Sequence, residues 1–125
     1  MQSPIQRRAG MIFIPVSDMQ RAVRWYSAVF GLPPAETTHE GKIYDLPMEG
    51  ETGVILDAHR PVQNSSQPLC FFWTGDIAAT HEYLNALGVE ILGAVEDIGS
   101  VQTLTFRDLD GNLLMVCQRK GPAAP

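Results

Sequence analysis

Two stretches, MIFIPVSDMQRAVRWYSAVFGL (Met11–Leu32) and LCFFWTGDIAATHEYLNALGV (Leu69–Val89), are two copies of one pattern. Met11 matches Leu69 and Asp18 matches Asp76, both at a shift of 58 positions. Gly31 matches Gly88 one position earlier, so the second copy ends slightly sooner. Each copy opens on an apolar run, Met11 to Val16 or Leu69 to Thr74, rich in aromatic or β-branched residues, which predicts a strand. An aspartate follows, able to accept from the free amides of a helix start. In the first copy Met19, Ala22, Val23, Tyr26, Val29 and Phe30 then fall at helical spacing. In the second, Ile77, His81, Leu84 and Leu87 do so. Gly31 and Gly88 stand where a left-handed residue ends a helix.

Shorter strands follow each helix. The first half predicts them over Glu36 to Glu40, Lys42 to Leu46 and Thr52 to Ala58, with a hairpin turn at His39-Glu40-Gly41-Lys42. The second half predicts Glu90 to Glu96, Val101 to Arg107 and Asn112 to Gln118. Turns are expected at 97–100 and at Asp108-Leu109-Asp110-Gly111. The reading is α+β: two βαβββ modules, about 11–58 and 69–119, in one domain spanning 1–125. HRPVQNSSQP, 59–68, is polar and proline-flanked and predicts a linker; it could also act as a hinge exchanging modules between two chains. One helix covers only one face of each sheet. Two such sheets side by side give a curved mixed sheet with helices outside and a concave face inside, the usual place for a ligand.

Bulk properties narrow the function. Apolar residues make up 45% of the 125-residue chain, enough for a core and too many for a disordered segment. The net charge is −5, and the only adjacent basic pairs, Arg7-Arg8 and Arg119-Lys120, lie near the ends. That argues against a nucleic-acid partner, which needs clustered cations. Cys70 and Cys117 sit in apolar runs without CxxC spacing, as small buried hydrophobes do. No long apolar segment follows the basic pair near Met1, so neither a signal peptide nor a membrane partner is expected. The expected location is the cytoplasm.

Several residues together resemble the vicinal oxygen chelate superfamily. They are the paired modules, Ile14-x-Val16-x-Asp18 followed by Trp25-Tyr26, the Gly31-Leu32 after the helix, and Phe106-x-Asp108-x-Asp110-Gly111-Asn112. That group contains glyoxalase I, ring-cleaving dioxygenases, fosfomycin-inactivating enzymes and bleomycin-resistance proteins. The resemblance covers about Met11 to Arg119 and implies a glyoxalase-like fold. It also implies a divalent metal on the concave face, held by His or Gln on each first strand and Glu on each last strand. Carried over by position, those places are Met11, seven residues before Asp18, and Leu69, seven before Asp76. Met115 stands three after Asn112, and aligning Gly53 with Asn112 gives Leu56. All four are apolar. Divalent ions need His nitrogen or carboxylate oxygen, so no metal and no cofactor is expected.

Strand alternation adds neighbours to these four. Phe13 and Pro15 accompany Met11. Phe71 and Trp73 accompany Leu69. Leu113 and Cys117 accompany Met115, and Val54 and Ala58 accompany Leu56. Ile12, Ile14, Val16, Ile55, Cys70, Phe72, Leu114 and Val116 would pack under the helices. The expected ligand-binding set is Met11, Phe13, Tyr44, Leu56, Leu69, Phe71, Trp73 and Met115, with no catalytic residue assigned. Met and aromatic walls adapt to flat or bulky apolar ligands. His39 is expected in a solvated hairpin and His81 at a helix boundary. His59, near Asp57, is the remaining metal or acid–base candidate. Glu49-Gly50-Glu51 reads as a solvated turn.

The leading expectation is a small-molecule binder, as bleomycin-resistance proteins are, in the form of a homodimer. The first alternative is a metal-dependent lyase or dioxygenase of the same superfamily with relocated ligands. The second is an interaction module whose apolar face another chain fills.

Overall fold

A computed structural model describes residues 1–33 and 41–121. The first module runs β1 (Met11–Pro15), α1 (Met19–Phe30), β2 (Ile43–Leu46) and β3 (Gly53–Asp57). The second runs β4 (Phe71–Trp73), α2 (Ile77–Ala86), β5 (Ile91–Asp97), β6 (Val101–Arg107) and β7 (Leu113–Arg119). The strand expected over 36–40, and with it His39 and Glu40 of the expected turn, lie outside the described residues. No described helix is long and apolar enough to cross a membrane.

The helix ends form as the repeat requires. Asp18 accepts from the Arg21 amide at 3.2 Å, and Asp76 from the Ala79 amide at 3.0 Å. Each satisfies an amide that the first helical turn leaves open. Gly31, at φ 67°, closes α1 in the left-handed region.

The strands form two sheets, ordered β1-β3-β2 and β4-β7-β6-β5. In each, a first strand pairs in parallel with the last strand of its module. The two modules thus supply two mixed sheets, one from each copy of the repeat as expected, with β1 and β4 each at an edge. One core nevertheless joins the modules. Ile14, Val16, Val23, Tyr26, Val54 and Leu56 belong to it, together with Leu104, Phe106, Leu114 and Val116. Each such side chain contributes about 1.5–3 kcal/mol by leaving water.

A polar lock ties α1 to the β6–β7 turn. Asp108 is buried and accepts from four donors: the Tyr26 hydroxyl, the Asp110 and Asn112 amides, and Asn112 Nδ2. Asn112 Nδ2 also reaches the Pro15 carbonyl at 2.9 Å, and Ser17 donates twice to Asp110. A carboxylate taken out of water needs this many partners. The D-x-D-G-N motif thus joins the second module to the first. Burial foremost, and then the neighbouring Asp108 charge, push the Tyr26 phenol well above its ordinary value.

Candidate functional site

Register decides which side chains share a face. In the first sheet Met11, Phe13 and Pro15 stand opposite Gly53, Ile55 and Asp57. In the second, Phe71 and Trp73 stand opposite Met115 and Cys117. Residues opposite one another project to the same side. The face turned from the helices therefore carries Met11, Phe13 and Ile55 in the first module. In the second it carries Phe71, Trp73 and Met115, and Leu69 follows two residues before Phe71.

This corrects the expectation at Leu56 and Tyr44. Leu56 stands opposite Ile14 and is fully buried in the core, and Tyr44 stands opposite Leu56 on that same helix side. Val54 goes with them, and Ile55 comes to the open face. The structural equivalent of Met115 is thus Ile55, because Phe13 and Phe71 are repeat partners. Aligning Gly53 with Asn112 was one residue out, and a one-residue slip reverses every side chain of a strand. Val54-Ile55-Leu56 is apolar throughout, so alternation could not expose the slip.

The open faces are greasy and accessible. Met11 is 41% exposed, Phe13 48%, Leu69 39%, Phe71 46% and Trp73 51%. Two arginines lie on the exposed rings: Arg119 sits 3.8 Å from the centre of Trp73, and Arg60 sits 5.7 Å from that of Phe13. Phe71 meets Trp73 edge-on at 4.9 Å. The indole is thereby held by the Arg119 guanidinium and by the Phe71 ring. Nearby, Asp57 is buried and accepts from the His59 amide and from Arg60 Nε at 3.0 Å. Its carboxylate is committed to that turn, and the His59 side chain is exposed.

A cavity of about 680 Å³ opens where the modules meet. It wraps edge strand β4, taking Phe71, Phe72 and Trp73 as one wall. Ile12 and Val54 also line it, with Phe30 and Leu32 from the end of α1, and Pro47 and Met48 after β2. The Glu49–Thr52 turn makes its rim. Phe30 and Phe72 meet edge-on at 4.9 Å. Of the eight residues expected to bind a ligand, this cavity gathers Phe71 and Trp73. Met11, Phe13, Leu69 and Met115 lie outside its walls, and Tyr44 and Leu56 lie in and against the core. Sequence reading missed Phe30, Leu32 and Met48, whose apolar character read as helix stripe or loop. It also took Glu49 and Glu51 for ordinary turn residues. Pro47 beside Met48, an apolar pair in a polar stretch, was the available signal.

The cysteines are quiet. Burial pushes the Cys70 thiol up to about 11 and raises that of Cys117. Both stay protonated near neutrality and are poor nucleophiles there. Among the described residues, no three His, Cys, Asp or Glu side chains come together as a metal cage.

Residues 8–116 match the model of the Glyoxalase/Bleomycin resistance protein/Dioxygenase superfamily. The chain belongs to this superfamily. Among curated proteins no sequence matches it significantly. Among solved structures, TnmS3, an antibiotic binding protein from Streptomyces sp. CB03234, is similar at 23% identity and TM-score 0.75. That likeness covers 95% of this chain and 100% of that one. A virulence protein from Salmonella typhimurium is similar at 25% identity and TM-score 0.70, covering 93% and 99%. A glyoxalase/dioxygenase from Nostoc punctiforme is similar at 15% identity and TM-score 0.71, covering 97% and 99%. These likenesses speak for the fold, and one fold hosts many functions.

The superfamily's enzymes mostly hold a divalent ion on the open face. At the corresponding places this member has Met11, Ile55, Leu69 and Met115. Ile and Leu offer no lone pair, and Met offers a soft thioether. This donor set does not fit a hard or borderline divalent cation.

Proposed function

We propose that this superfamily member binds a small, partly hydrophobic molecule in the cavity between its modules, without a metal and without transforming it. The cavity's walls carry the reading. A space of about 680 Å³ lies within the range of ligand sites, roughly 300–1,000 Å³, and its lining is mostly aromatic and aliphatic. Trp73, Phe71, Phe30 and Met48 can close on a flat or bulky apolar body. Chemistry has little support there. The family's ligand positions are apolar, Asp57 is occupied by its own turn, and both thiols are held protonated. TnmS3, described as an antibiotic binding protein, shares the fold and shows that such a scaffold can be used for binding.

The test is a titration of the purified chain with naphthalene-bodied probes, read by amide chemical shifts. Saturable one-to-one binding, with shifts at Trp73, Phe71 and Leu32, is expected. A Leu32→Trp variant, which narrows the cavity, should weaken it. Shifts scattered over the surface, or no saturation, would refute the reading.

The open apolar faces support a homodimer. Met11, Phe13 and Leu69 lie outside the cavity and stay exposed; a second copy would cover them, as apolar surface left in water often marks an interface. Sedimentation should give a mass near twice 13.7 kDa; a single-chain mass at high concentration would oppose it.

A further inference from the structure

The open face of the second sheet carries polar groups that the cavity does not use. The Arg119 guanidinium lies 3.8 Å from the centre of the Trp73 ring. A guanidinium carried on a ring keeps N–H donors for an acceptor, in the fork that matches a carboxylate. Arg60, Arg107 and Lys120 each have an acidic partner, and Arg119 has none among the described residues. Thr103 is 5% exposed, yet its hydroxyl has no hydrogen bond among the described residues. Every fully sealed side-chain oxygen there has a partner, so the Thr103 oxygen opens outward. A hydroxyl so placed calls for an acceptor or donor from outside. Register sets both groups on one face. Trp73 stands opposite Cys117 and Cys117 opposite Thr103, while Phe71, Met115 and Thr105 form the next row. Strand spacing puts the Trp73 and Thr103 backbones roughly 10 Å apart, with the small Cys117 side chain as the floor between them. Burial raises the Cys117 thiol, so that floor is uncharged near neutrality. Thr103, Met115, Cys117 and Arg119 take no part in the cavity wall.

We propose that this face is a second ligand site, taking an aromatic carboxylate whose anionic end bridges the Arg119 guanidinium and the Thr103 hydroxyl above Cys117. The site goes beyond the cavity reading and shares Phe71 and Trp73 with it. The aromatic body lies on Met115 beside Phe71, whose ring is 46% exposed. Thr103 gains the partner it lacks, and Arg119 gains an acceptor without leaving Trp73. Glu96 stands opposite Thr103 on outer strand β5 and is exposed. It is the charge that opposes the ligand, but it lies three strands from Trp73 and in water, where it is screened. A neutral ring of the same shape keeps only the apolar contacts. A cation meets the guanidinium and is repelled.

The experiment uses three probes with one body: 2-naphthoate, 2-naphthylmethanol and 2-naphthylmethylammonium. Each is titrated into the full chain at neutral pH and low salt, followed by amide chemical shifts, in the parent and in Leu32→Trp, which narrows the cavity. In both chains the naphthoate should shift Thr103, Thr105, Met115 and Cys117. It should bind there about tenfold tighter than the alcohol, as expected for charges a few ångströms apart in a wet site, and the ammonium should bind weakest. Arg119→Gln should weaken the naphthoate about tenfold and Thr103→Val about threefold, the scale of one lost hydrogen bond, with the alcohol unchanged in each. Glu96→Gln should tighten the naphthoate about twofold, and about 0.5 M salt should erase most of its preference. The spectra themselves report whether each variant is folded. Equal affinities for all three probes, an unchanged naphthoate affinity in Arg119→Gln, or naphthoate shifts confined to Leu32 and Met48 would overturn the carboxylate site and leave the cavity reading standing. Naphthoate shifts on the sheet face with no probe shifting Leu32 would support this site and oppose the cavity. No saturable binding by any probe would overturn both. An unchanged naphthoate affinity in Thr103→Val would overturn the role of its hydroxyl.

Discussion

Replacing Trp73 by Ala separates binding from folding. Trp73 is 51% exposed, so in the free protein about half of its surface is already in water. A large aromatic residue covers roughly 200 Å² when buried, so a ligand against its open side removes roughly 100 Å² from water. At about 25 cal/mol per Å² that is about 2.5 kcal/mol. Ordering the ligand consumes part of it. Trp73→Ala should therefore weaken a flat apolar ligand between roughly ten- and sixtyfold. The cost to the fold is smaller. The variant loses the Arg119 guanidinium on the ring and the edge contact with Phe71. Those are worth about 1–2 kcal/mol together at an exposed position. Urea unfolding should show a small shift in midpoint with the slope unchanged, while the naphthyl titration shows the large loss. A Trp25→Phe chain isolates the Trp73 emission, which should then be quenched on binding. Unchanged affinity in Trp73→Ala, or loss of affinity only through unfolding, would refute the placing of the ligand.

Tyr26→Phe removes a buried donor to Asp108, a charge-assisted bond worth about 1.5–3 kcal/mol; thermal unfolding should fall by several degrees, and no change would mean that the Asp110 and Asn112 donors already satisfy that carboxylate. Tyr26 and Cys70 both have raised values in the fold, so the folded chain holds protons that the unfolded chain gives up. Stability from these groups is fully present below about pH 9 and falls as the pH rises through 9 to 11 and beyond. Urea midpoints measured across that range should decline, and less so in Tyr26→Phe; a flat profile would contradict it. Cys70 should react slowly with iodoacetamide near neutral pH and faster as the pH approaches 11; rapid modification at pH 7 would refute its burial. Adding Zn, Ni, Mn or Fe should leave the melting temperature unchanged, whereas a saturable rise would reveal a divalent site.

The α+β fold was legible in the chain because its evidence is local and duplicated. Two capping aspartates, two apolar stripes and a glycine after each helix repeat at nearly constant spacing, and each acts within a few residues of itself. The D-x-D-G-N motif was visible too, though its work was not. Only folding brings Asp108 beneath Tyr26 and Asn112 to Pro15, contacts that cross most of the chain length. The exposed aromatics Phe13, Phe71 and Trp73 were likewise readable, since period-two alternation needs only the neighbours.

What the sequence left to tertiary structure was register and assembly. Leu56 and Tyr44 turned to the helix side because β3 pairs with β1 one residue away from the alignment of the repeat, and three apolar residues in a row carry no mark of their face. The cavity formed at the seam, around the free edge of β4, from Phe30, Leu32 and Met48, which lie far from Trp73 along the chain. Glu49 and Glu51 became its rim for the same reason. Periodicity records which way a side chain points from its own strand. Which surfaces then meet depends on long-range packing, where small differences in register and twist decide what lines a space.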